Sequence, residues 1–209
     1  MKNVLLSSTI RTLLLITIVL TAVSIAMQSA NAALSPLGFS IIPPIQFPPE
    51  SFDITGARLS LIYGRHREVY GFDLGATGNT TDVGFTGIAA SGLFNYNKGT
   101  TTVLGIQLAG ITNINVNKAN IYGVQLALGL NSNQAESRLV GLQLALVNYS
   151  PTMRVYGVQV GLYNRAQTVN GFQFGLINDT DVLRGIQIGL LNIHRRGLFS
   201  MAPILNIGF

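Results

Sequence analysis

Two histidines occur in the chain, His66 in "GRHRE" and His194 in "NIHRRG", and both have arginines beside them. A metal site needs further nitrogen, sulfur or carboxylate ligands, and a general base needs a partner that orients its ring. Neither motif supplies these. Neighbouring positive charge lowers a histidine's pKa, and both motifs read as solvated turns. Asp179 and Asp181 in "DTD" read as turn chemistry and not as a calcium ligand set. Glycine is abundant, but it falls inside strand-like words and not in a strand-to-helix phosphate loop. The sequence therefore predicts no catalytic, metal-ligating or cofactor-binding residue and no cofactor. An envelope hydrolase finds no nucleophile and base pair.

The glutamines are patterned differently. Gln107, Gln125, Gln143, Gln159, Gln173 and Gln187 occupy one position in a repeated word, seen as "GVQVGLYN" from Gly157, "GFQFGLIN" from Gly171 and "GIQIGLLN" from Gly185. Earlier copies begin at Gly71, Gly87, Gly105, Gly123 and Gly141, so the period is 14 to 18 residues. Such repetition means an array of one structural unit. Within the word, Val158, Val160 and Leu162 alternate with Gly157, Gln159 and Gly161. That is the period of a strand with one apolar face. Arg58 and Asp73 fall on the glutamine face in adjacent words, where they can neutralise each other.

The elements that must carry these rows begin after an N-terminal leader. Residues 1–32 combine Lys2 and Arg11, an apolar run and a small-residue site ending in Ala30 and Ala32, which reads as a signal peptide. Residues 33–52 hold five of the seven prolines and read as an extended, unpaired lead-in segment. Residues 53–209 form a single repeat-built β domain. The chain has no cysteine, so the exported protein carries neither disulfides nor a lipidated cysteine. Only 10% of residues are charged, against about 25% in ordinary domains. After the leader, eleven Lys/Arg face eight Asp/Glu, too mild an excess to indicate nucleic acid.

Low charge and alternating apolar residues together match a membrane β-barrel. The fold expected is all-β, a small antiparallel β-barrel of about ten short strands near 55–63, 69–78, 83–94, 102–112, 120–130, 138–147, 154–163, 169–177, 183–191 and 199–209. Its apolar row would face lipid and its glutamines the lumen. The alternative is a β-solenoid, with the glutamines as an outward ladder. The barrel is favoured because a 14-residue coil with an eight-residue strand leaves six residues for two turns and the return, roughly one strand's length. The ending "SMAPILNIGF" alternates to Phe209 in the manner of an outer-membrane assembly signal, which makes the assembly machinery an expected partner.

The words "GxQxGLxN", the opening "GARLSLIYGR" and the ending "PILNIGF" resemble bacterial surface-repeat proteins of unassigned function, of the Vibrio, Legionella and spirochaete type. The resemblance implies a cell-envelope location and brings no catalytic residues. The function expected is a non-enzymatic, structural or adhesive protein of the outer membrane or cell surface, with the periplasm as the alternative location. Barrel closure would join Arg65, His66 and Arg67 to His194, Arg195 and Arg196 in a basic rim for lipopolysaccharide. A solenoid would instead be a secreted or surface-attached binding module with a Gln/Asn-rich face.

Overall fold

The period-two words do form strands, but the strands stack in parallel and not as hairpins. The computed structural model describes residues 33–209; the signal peptide expected over residues 1–32 lies outside the described residues. Ten strands form one continuous parallel ladder: β1 (Leu34–Ile42), β3 (Asp53–Ser60), β4 (Tyr63–Gly75), β5 (Gly78–Ser91), β7 (Thr100–Ala109), β9 (Ala119–Ala127), β11 (Ser137–Leu144), β12 (Val147–Val160), β13 (Tyr163–Phe174) and β14 (Ile177–His194). A second, shorter ladder faces it. It is made by β6 (Phe94–Asn97), β8 (Thr112–Asn115), β10 (Leu130–Asn133) and the first residues of β4, β5, β12, β13 and β14. Each coil is thus a long arm carrying the glutamine position, a two-residue turn, a short arm carrying asparagine, and a corner leading into the next coil.

The barrel expectation is therefore corrected: the fold is a β-solenoid of about ten coils. The ten-residue strands expected for the barrel contain the break. In "VYGVQVGLYN" the turn falls at Gly161 and Leu162, while the stretch "RAQT" expected as a hairpin turn continues as strand through Arg165 and Ala166. The return path needs only the four-residue short arm. The long arm passes through the first glycine of each word at positive φ, from 109° at Gly105 to 148° at Gly185. Other residues rarely enter that region. At Gly157 a Cβ would also overlap the carbonyl oxygen of Gly141 one coil below, so glycine is required there twice over.

Residues 33–52, expected as unpaired, contain the first rung. β1 pairs in parallel with β3, and β2 (Ile45–Phe47) folds back antiparallel on β1 to cover that end. At the other end β15 (Met201–Gly208) pairs antiparallel with β14. Pro43 and Pro44 lie in the β1–β2 connection and Pro203 in β15, and proline withholds the N–H donor an open edge would offer.

The core holds columns of identical function. Ile54, Val69, Phe85, Val103, Ile121, Leu139, Val155, Val169 and Leu183 form a buried apolar column two residues before each glycine. Beside it run amides. From Asn79 each asparagine donates to the next, through Asn95, Asn113, Asn131, Asn148, Asn164 and Asn178 to Asn192, over distances of 2.8 to 3.1 Å. The glutamines run the opposite way, each Nε2 donating to the previous Oε1 from Gln187 down to Gln107 at 2.6 to 2.9 Å. Such chains polarise one another cooperatively. They also satisfy amides whose burial without partners costs about 1–3 kcal/mol each.

Candidate lipid-contact edge

The glutamine row points inward although the architecture is the solenoid, for which an outward ladder was expected. All six glutamines are buried. Gln107 meets Asn115 of the opposing arm through two hydrogen bonds of 3.2 Å. The solenoid of the alternative reading is the fold found, but its ladder amides are spent inside and form no outward face. Arg58 and Asp73 stand in the same column at its N-terminal end. They pair through two 2.7 Å hydrogen bonds, with Arg58 Nη1 also donating to the Thr80 carbonyl at 2.9 Å.

What the solenoid presents outward is apolar. From Gly56 onward, the stretch from each coil's glycine through its short-arm asparagine carries two charged residues in all, and these are Arg58 and Asp73, paired in the core. The other seventeen charged residues from Glu50 onward fall outside those stretches, before Gly56, between one coil's short-arm position equivalent to asparagine and the next coil's glycine, or beyond Asn192. Each coil is therefore amphipathic in cross-section. Its corner side is charged and its turn side is not.

The turn side carries a ridge. Leu61, Leu93, Ile111, Leu128, Leu146, Leu162, Leu176 and Leu190 all project into solvent, with Leu128 and Leu190 each 70% exposed. At about 4.8 Å per rung the nine turns from Leu61 to Leu190 extend roughly 38 Å. The adjoining outward faces of the long arms add Phe72, Ile106, Leu108, Phe172 and Ile188, all exposed. Large apolar side chains exposed in a continuous row, and not scattered singly, are the kind of surface that interaction and membrane sites present. Val158, Val160 and Leu162, the row expected to face lipid, lie on this outer surface. The ridge as a whole was readable from the absence of charge between glycine and asparagine in every copy of the word.

The basic rim expected from barrel closure does not form. Arg65, His66 and Arg67 lie in the short-arm part of β4 and His194, Arg195 and Arg196 follow the long arm of β14, eight short-arm rungs away, or about 38 Å. Three of the four arginines are also committed to carboxylates. Arg65 bonds Asp82 at 2.8 Å, Arg67 bonds Asp53 at 3.0 Å, and Arg195 bonds Asp179 at 2.6 Å. Each of these bonds raises the arginine's pKa. Burial pushes Asp82 up, but Lys98 and Arg65 outweigh it and hold this carboxyl below its usual range.

Both histidines are buried strand residues and not solvated turns. His66 Nε2 donates to the Pro48 carbonyl at 3.0 Å, and Nδ1 faces Arg58 Nη1 at 3.4 Å. Burial and the Arg58 charge together push its pKa down to about 4. His194 Nε2 accepts from the Leu183 N–H at 3.0 Å, and burial lowers its pKa. The two rings thus bind backbone at opposite ends of the stack. Phe209, expected as an assembly signal, follows the antiparallel closing strand β15 and is fully exposed.

No protein-family model, curated protein or solved structure matches the chain.

Proposed function

We propose that this protein is an exported, non-enzymatic β-solenoid of the outer membrane or cell surface that lies on a lipid layer through its leucine ridge and serves as a structural or adhesive element. One observation carries the reading: every coil confines its charge to one side and leaves the other side uncharged and apolar. The arrangement is the β counterpart of an amphipathic interfacial helix, whose apolar face sinks into the headgroup and acyl boundary while its charged face stays in water. The leader expected over residues 1–32 and the resemblance to envelope surface-repeat proteins support the location. The lipopolysaccharide grip expected from a joined rim loses its geometric basis, because the two basic clusters sit at opposite ends.

Flotation with phosphatidylcholine vesicles tests the reading. The parent protein should float with the vesicles in low and in high salt, since apolar burial is not screened as charge contacts are. Replacing Leu128, Leu162 and Leu190 together by aspartate should leave it in the aqueous fraction. A parent that stays in the aqueous fraction while eluting as a dimer would assign the ridge to self-association and overturn the lipid reading.

A further inference from the structure

Along the C-terminal half of the ridge the apolar surface is not flat. Between the outward row Val160, Phe174 and Ile188 and the turn row Leu162, Leu176 and Leu190 runs an open groove of about 720 Å³. That volume lies in the range of small-molecule sites, roughly 300–1,000 Å³. Every side chain along it is aliphatic or aromatic.

Its floor is backbone. At Gly161, Gly175 and Gly189 a Cβ would turn inward against the asparagine ladder and the carbonyl of the coil below. Glycine is therefore favoured from the inside, and because this position's Cβ direction is inward the outside is left as a furrow with no side chain on its bed. The furrow passes from Leu128 to Leu190 over four rungs, about 19 Å. Each leaflet of a bilayer offers a hydrocarbon depth of about 15 Å, half the core thickness.

At one end stands Ile204, which pairs with Gly189 across the β14–β15 ladder and borders the groove. Ile204 is the one non-glycine residue at positive φ among the described residues, at 65°. A β-branched residue in that region is an outlier, and such strain concentrates at ligand clamps and functional sites.

We infer that this furrow binds a single acyl chain of a membrane lipid, with the methyl end against Ile204 and the headgroup left outside. The inference rests on the lipid-surface reading and deepens it. A membrane lipid fits better than a free fatty acid because no cation lies between the glycine and asparagine of these coils to meet a carboxylate.

Calorimetric titration of the full chain with monomeric palmitoyl lysophosphatidylcholine tests it. The parent should bind one lipid per chain with an affinity insensitive to salt. Val160→Trp, which fills the furrow, should weaken binding about tenfold or more, as expected from losing roughly one buried apolar side chain's contact. Ile204→Gly should also weaken binding while leaving thermal stability equal or higher, because glycine relieves the positive φ. That second variant keeps the test independent of folding damage. Unchanged binding by both variants would overturn the furrow, as would absence of saturable lipid binding by a parent that still floats with vesicles; the peripheral reading would then stand. Failure of the parent to float as well would take down both. Equal affinity for palmitate would overturn the assignment to membrane lipid.

Discussion

Arg58 and Asp73 meet in two parallel hydrogen bonds of 2.7 Å with both side chains buried. They head the column that the glutamines continue. Removing either partner alone strands a charge in the core, so Arg58→Met or Asp73→Leu should each cost about 3–5 kcal/mol. The double replacement should recover most of that loss, because two apolar side chains leave no charge behind. Urea unfolding of the three variants checks this; additive losses would mean the pair is not coupled as its geometry indicates.

Gln143 accepts from Gln159 at 2.6 Å and donates to Gln125 at 2.8 Å. Gln143→Leu keeps the volume and orphans the Gln159 amide donor above, while Gln125 Oε1 below keeps its bond from Asn133 at 3.0 Å; the cost is roughly 1–3 kcal/mol for the orphaned group. The loss should exceed that of Leu142→Ala on the outer face of the same strand. Comparable urea midpoints for the two would show that the ladder contributes little.

The inward row, the period-two strands and the apolar outer row were legible, because identical residues at identical word positions must share one face of a strand. Closure was not. Gln159 and Asn164 are five residues apart, whereas Gln125 and Asn131 are six apart. On an uninterrupted strand those offsets put asparagine on opposite faces, yet both asparagines are buried. The mismatch reveals a turn of fixed size after an arm of variable length, and it was present in the letters. The positive φ of the first glycine was not, since glycine in a strand is also compatible with a barrel interior. Ile204 carried no sequence signal at all, because its strained backbone depends on how β15 folds back.

His66 should make the fold sensitive to mild acid. Its folded pKa is about 4, below the ordinary 6.5, so above 6.5 the ring is neutral in both states and the stability is intact. As pH falls from 6.5 toward 4 the unfolded chain takes up a proton that the folded one refuses, and stability drops. His194, lowered by burial, acts in the same direction. Urea midpoints at about pH 7 and about pH 5 should therefore differ, and His66→Gln should shrink the difference. An unchanged difference in that variant would place the sensitivity elsewhere.

The ridge's contact with lipid is tested most directly by depth. The chain has no cysteine, so a nitroxide on Leu128→Cys reports the turn side alone, and one on Glu136→Cys the charged corner alone. With phosphatidylcholine vesicles present, the label at 128 should become accessible to oxygen and shielded from an aqueous nickel chelate, while the label at 136 stays open to nickel. A label at 128 that remains as open to nickel with vesicles as without them would contradict attachment through the leucine ridge.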